Sequence, residues 1–122
     1  MNKKELEERL INFAVLIIEI ANELPNTKVG NHLSGQLVRS GTSSALNYGE
    51  AQSGESRKDF IHKIKIVLKE LRETHINLRI MKVAGLAADT TTLDELILEN
   101  NELIAIFTKT LFTARANSSK KN

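Results

Sequence analysis

The side chains that could do chemistry here are concentrated in one stretch. Lys58, His62, Lys65, Lys69, Arg72 and Arg79 step by 4, 3, 4, 3 and 7. At about 100° per residue they share one side of a helix, opposite Phe60, Leu71 and Leu78. A row of cations one turn apart can follow a line of phosphates without reading bases. Lys58, Lys65, Lys69, Arg72 and Arg79 are therefore the candidate nucleic-acid contacts. The same row also fits a solvated outer face, or a surface that meets an acidic helix of a second subunit. Residues 57–82 hold eight Lys or Arg and three Asp or Glu, hence +5. Residues 83–108 hold five acids and no Lys or Arg, hence −5. The net charge of +2 hides this segregation.

A second pattern is polar. Gln36, Arg39, Ser43, Asn47 and Glu50 step by 3, 4, 4 and 3, and Arg39 is placed to pair with Glu50 or with Glu70. Such a stripe is either an interhelical network that sets register or a site for an acidic ligand at Arg39. The histidines are less informative. A di-metal bundle needs two Glu-x-x-His pairs and two further inward glutamates. Only Asp59-x-x-His62 has the spacing, at a helix start, so no metal is expected. No Gly-x-Ser-x-Gly elbow or phosphate-cradling glycine loop occurs, and there is no cysteine. A non-catalytic protein without a cofactor is the expectation.

Four helices must position these residues. Leu6, Leu10, Phe13, Ile17, Ile20 and Leu24 form the first stripe, and Pro25 ends it. Ile11, Ala14 and Ile18 widen that face, and Val15 and Leu16 lie beyond it. A face this broad predicts self-association. The second helix starts with Val29, Leu33 and Leu37 and runs into a stretch rich in Gly, Ser and Thr. Each Gly costs a helix about 1 kcal/mol relative to Ala. The helix is still expected to be continuous, because Ser40, Ser44 and Ala51 extend the same side and small residues admit a close neighbour. Ser56 with Asp59 opens the third helix as a capping box. Phe60, Ile64, Val67, Leu71, Leu78 and Met81 form its stripe, and Gly85 stops it. Thr92 with Glu95 is expected to cap the fourth, whose stripe is Leu93, Ile97, Ile104, Phe107 and Leu111. Asn100 fills the missing step as a buried polar residue able to fix register.

The expected fold class is all-α, an antiparallel up-and-down four-helix bundle. The 122 residues make one domain, with 116–122 as a frayed tail. Aromatic residues are only 4%, too few for a base-stacking platform. The acids in the opening Met-Asn-Lys-Lys-Glu-Leu-Glu-Glu-Arg do not suit a signal peptide. The longest apolar run, Phe13 to Ile18, falls far short of the ~20 residues of a membrane span. The expectation is a cytoplasmic protein with no membrane partner.

Longer blocks carry a family resemblance. They are Asn22-Glu23-Leu24-Pro25-Asn26-Thr27, Gly35-Gln36-Leu37-Val38-Arg39-Ser40-Gly41-Thr42-Ser43 and Asn47-Tyr48-Gly49-Glu50-Ala51. Ser56-Arg57-Lys58-Asp59-Phe60-Ile61-His62-Lys63 and Leu68-Lys69-Glu70-Leu71-Arg72-Glu73-Thr74 follow. In order and spacing the chain resembles bacterial four-helix-bundle proteins encoded in intervening sequences of 23S ribosomal RNA genes, also labelled S23 ribosomal proteins. The resemblance implies a bundle with an unbroken second helix, assembly as rings of five, and Arg39, Ser43, Asn47, Glu50 and Glu70 at family positions. A related accessory protein of diversity-generating retroelements uses a basic surface on a similar pentamer to bind a reverse transcriptase and nucleic acid. Ala51 departs from the Gly common after the Glu, and Ile76-Asn77-Leu78 lacks a frequent aromatic. The partners expected are further copies of the chain, in a pentamer, and RNA or a ribonucleoprotein. The alternative is a protein–protein scaffold with no nucleic-acid ligand.

Overall fold

The computed structural model describes residues 1–120, with side chains as far as Ser118. Four helices make up the described residues: α1 (Lys3–Asn22), α2 (Lys28–Gln52), α3 (Arg57–Val83) and α4 (Thr90–Lys120). Each packs on the next, and α1 closes the ring on α4. Short connections make neighbours antiparallel, so the architecture is an up-and-down four-helix bundle. The segment 116–122, expected as a frayed tail, is helical as far as Lys120. Residues 121–122 lie outside the described residues.

Local chemistry sets the ends. Asn2 caps α1 by accepting the Glu5 amide at 2.8 Å, and Thr27 caps α2 by accepting the Gly30 amide at 3.0 Å. A Cβ at Gly30 would stand 1.9 Å from the Pro25 carbonyl oxygen, so this tight α1–α2 turn needs glycine. Ser56 accepts the Asp59 amide at 3.1 Å. Helix α3 ends as expected at Gly85, which adopts φ +67°. There the Leu86 amide donates to the Met81 carbonyl at 3.0 Å and the Gly85 amide to Lys82 at 3.1 Å, a Schellman closure. The start of α4 differs from expectation. Asp89, not Thr92, makes the cap, accepting the Thr91 amide at 2.9 Å and the Thr92 hydroxyl at 3.0 Å. A carboxylate outcompetes a hydroxyl for orphan amides at the positive end of a helix dipole. Those hydrogen bonds hold the Asp89 carboxyl below the usual carboxylate range, the Thr92 hydroxyl contributing most.

The core runs the length of the bundle. Phe13, Ile17, Leu37, Ile64, Leu71, Leu78, Leu103 and Phe107 are essentially inaccessible to water. Tyr48 meets Phe107 edge to face, with centroids 5.3 Å apart. Helix α2 is unbroken through its glycines, and Gly41 shows one reason. A Cβ there would fall 2.8 Å from Ile17 Cγ2, so the missing side chain lets α1 and α2 approach. Gly35 and Gly49 touch nothing within 4 Å of their absent side chains, so close packing inside this chain does not account for them.

Polar groups thread the core. Ser40 and Thr74 join α2 to α3 through hydroxyls 2.7 Å apart. Thr74 donates its proton to the Glu70 carbonyl at 2.8 Å, so Ser40 is the donor in that pair. Asn100 is fully buried, and its Nδ2 donates to the Leu71 carbonyl of α3 at 3.0 Å. A displaced register would leave that amide unpaired in an apolar interior.

Candidate functional site

Helix α3 presents the cationic row as its spacing demands. Because Ile64, Val67, Leu71 and Leu78 face the core, Lys58, Lys65, Lys69, Arg72 and Arg79 stand on the solvent side, and all five are exposed. None joins an ion pair among the described residues. At 1.5 Å per residue the row is about 31 Å long. Arg72 borders two grooves. On the α2 side it lies with Arg39, Lys69 and Ile76. On the α4 side it lies with Lys65, Arg115 and Phe112.

The acids of α4 are largely engaged within the chain. Arg9 of α1 donates to both oxygens of Glu99, at 2.7 Å and 2.6 Å, and to Glu102 at 2.5 Å. The Glu99 hydrogen bond, above all, lifts the Arg9 guanidinium above its ordinary range. Lys82 of α3 reaches Asp94 at 2.7 Å, and Asp89 is the cap. Of the five acids between residues 83 and 108, Glu95 alone has no such role among the described residues. The basic row therefore has almost no counterpart on α4 left for it.

The polar stripe of α2 faces α3 but divides into separate contacts. Arg39 donates to Glu70 at 3.0 Å and to Glu73 at 2.5 Å. The Glu73 hydrogen bond, and then the charge of Glu70, raise the Arg39 guanidinium above its ordinary range. Glu50 turns instead to Lys63, at 2.6 Å. Asn47 stays on its own helix, donating to the Ser43 carbonyl at 2.9 Å and its hydroxyl at 3.0 Å. Gln36 lines the α2–α3 groove without a side-chain hydrogen bond among the described residues. Of the two acids expected for Arg39, the structure brings it Glu70, and adds Glu73, which spacing along α2 alone did not single out.

Three features lie outside the sequence reading. Helix α4 turns basic after Thr108, with Lys109 and Arg115, and a charge count that stops at that residue misses it. Near the α3 start, Arg57 and Lys109 border a groove floored by Phe60 and Ile106, and the buried Arg57 Nη1 has no hydrogen-bond partner among the described residues. Phe112 is 75% exposed, although Phe13, Tyr48 and Phe107 are all buried. It follows Phe107 by five residues, about 140° around the helix, so it leaves the core side. Asp59 and His62 lie in the first turns of α3, both exposed. Among the described residues no helix is long and apolar enough to cross a membrane.

The comparisons with known proteins agree with this architecture. No curated protein matches the chain. A crystal structure of a protein with unknown function from the S23 ribosomal protein family of Bacteroides thetaiotaomicron VPI-5482 superposes with a TM-score of 0.80 at 28% identity. The match covers 87% of this chain and 97% of that one. The profile described as 23S rRNA-intervening sequence protein matches residues 3–109, from α1 into α4, and the chain belongs to that family.

Proposed function

We propose that this protein is a non-catalytic, homo-oligomeric bundle that holds RNA, free or within a ribonucleoprotein, on the outer face of α3. A cytoplasmic setting goes with this reading. The observation that carries it is the exposed row Lys58, Lys65, Lys69, Arg72 and Arg79, free of ion pairs among the described residues while most acids of α4 are engaged elsewhere. Buried or paired cations serve the fold, whereas five free cations in line raise the local anion concentration. Their contacts would neutralise phosphates and be indifferent to base sequence.

Self-association rests on a different face. Ile11, Val15 and Ile18 are 41%, 47% and 38% exposed on one side of α1, and Leu46 of α2 is 67% exposed. The open Gly49 lies about one turn beyond Leu46 on α2 and leaves room there for a second backbone. A pentamer is the assembly that the family resemblance favours.

The test is a fluorescence titration of RNA at two salt concentrations. Single-strand binding should fall with salt at a log–log slope near 0.7 per phosphate contact. Changing Lys65, Lys69 and Arg72 together to Gln should lower that slope by about 2. Helix content should hold, because these side chains do not pack the core. No binding at low salt, or equal binding by the variant, would pass the lead to the protein-scaffold reading. The uncovered apolar face of α1 favours that second reading.

A further inference from the structure

We propose that the groove between α3 and α4 is a single-strand site, in which Phe112 stacks one unpaired base and Lys65, Arg72 and Arg115 hold the phosphates beside it. This rests on the RNA reading and deepens it.

Four observations converge on the groove. It has a volume of about 450 Å³, and among the described residues no carboxylate lines it. Its three cations have no ion pair among the described residues, so a ligand there gains charge without displacing a partner. Phe112 sits among those cations with most of its ring in water. Leu68 is buried and Leu111 half-buried, so the groove floor is apolar while its rim is positive.

Geometry then selects the ligand. Lys65 and Arg72 are seven residues apart on α3, about 10 Å along the axis. That separation lets one nucleotide lie between them with a phosphate at each end. Arg115 stands on the opposite wall, one turn beyond Phe112 on α4. Anionic ligands lacking a planar face would use the cations and leave the ring in water. Apolar peptides would cover the ring and desolvate three unpaired charges, which is costly. A single-stranded nucleic acid supplies both a π-face and phosphates. A duplex keeps its bases within the stack, so it can touch only the rim. The scarcity of aromatic residues, which argues against an extended stacking platform, does not bear on a single one placed in a basic groove.

The experiment compares an RNA of about ten nucleotides, carrying one fluorescent adenine analogue, with a duplex of the same length. Both are titrated against the full-length wild type, Phe112→Ala and Phe112→Tyr. Stacking should quench the analogue in the single strand. Phe112→Ala should weaken single-strand binding about tenfold, abolish the quench and leave duplex affinity unchanged. Phe112→Tyr should restore both signals. Light scattering should give the same particle mass for all three proteins.

Equal single-strand affinity for wild type and Phe112→Ala overturns the stacking site while the basic row stands. A smaller particle for Phe112→Ala assigns the ring to self-association and likewise overturns the site. Absence of binding to either RNA at low salt overturns the RNA reading, and the site with it.

Discussion

Arg39 and Glu70 form an ion pair whose two ends live in different solvents. The Glu70 side chain is 7% exposed and the Arg39 side chain 57%, with 3.0 Å between Nη1 and Oε2. Arg39 also holds Glu73, whereas Glu70 takes its one side-chain hydrogen bond among the described residues from Arg39. The pair is therefore asymmetric: the carboxylate depends on the guanidinium far more than the reverse.

That asymmetry predicts unequal losses. Arg39→Ala leaves a buried carboxylate without its cation and should cost about 3 kcal/mol. Glu70→Gln keeps the volume, and Arg39 keeps Glu73 and water, so the cost should be under about 1 kcal/mol. Urea denaturation of both variants measures the difference. Equal losses would mean that burial of Glu70 is relieved by some route other than Arg39.

The bundle was legible because periodicity reports burial. Leu10, Phe13 and Ile17, or Ile64, Val67 and Leu71, recur wherever a helix returns to the core, and all are buried. The continuity of α2 was legible against its propensity, since Ser40 and Ser44 continue the Leu33 and Leu37 side and are themselves buried. Single pairings were less legible. Arg39 had acids available at Glu50 and Glu70 in sequence, but which helix faces it, and how far along, follows from the bundle register. That register gives Glu50 to Lys63 and adds Glu73 to Arg39. Phe112 was not legible at all, because a periodic stripe marks what is buried and has nothing to say about a lone outward ring.

Two glycines of α2 should respond with opposite sign. Gly41→Ala places a methyl 2.8 Å from Ile17 Cγ2. Ile17 is fully buried and β-branched, hence confined largely to one rotamer on a helix. Overpacking of this kind should cost about 1–3 kcal/mol. Gly35→Ala meets open space and should add roughly 0.5–1 kcal/mol through helix propensity. Thermal melts of the two variants should move in opposite directions, and stabilisation by Gly41→Ala would contradict the close α1–α2 approach.

Tyr48 predicts an alkaline limb in the stability curve. Burial, and to a lesser degree the charge of Glu7, push its phenol above the ordinary range. The folded protein then holds the phenolic proton more tightly than the unfolded chain does. The resulting stabilisation is complete below the unfolded value, near pH 10, and disappears as pH rises through the folded value. Tyr48→Phe keeps the ring against Phe107 and removes the titration. Its melting temperature should match wild type at neutral pH and fall less steeply above about pH 10. Parallel curves for the two proteins would remove Tyr48 from the account.

Assembly and RNA binding should be separable, because the faces proposed for them differ. The outward apolar side chains Val15 and Leu46 lie on α1 and α2, while the cations lie on α3 and α4. Val15→Glu with Leu46→Glu puts two charges into the proposed subunit contact without disturbing the core, since neither side chain belongs to it and both reach solvent. Light scattering should give a homo-oligomer for wild type and a particle near the 13.6 kDa monomer for the double variant. Circular dichroism should be unchanged. An RNA short enough to touch one subunit should bind both proteins alike, because each retains one intact cationic row. A long RNA should favour wild type by ~10²-fold, since rows repeated around an assembly raise the effective concentration of each further contact. A wild type that is monomeric at micromolar concentration would refute the assembly. An oligomer that binds long and short RNA equally would show instead that the rows of neighbouring subunits cannot be spanned by one strand.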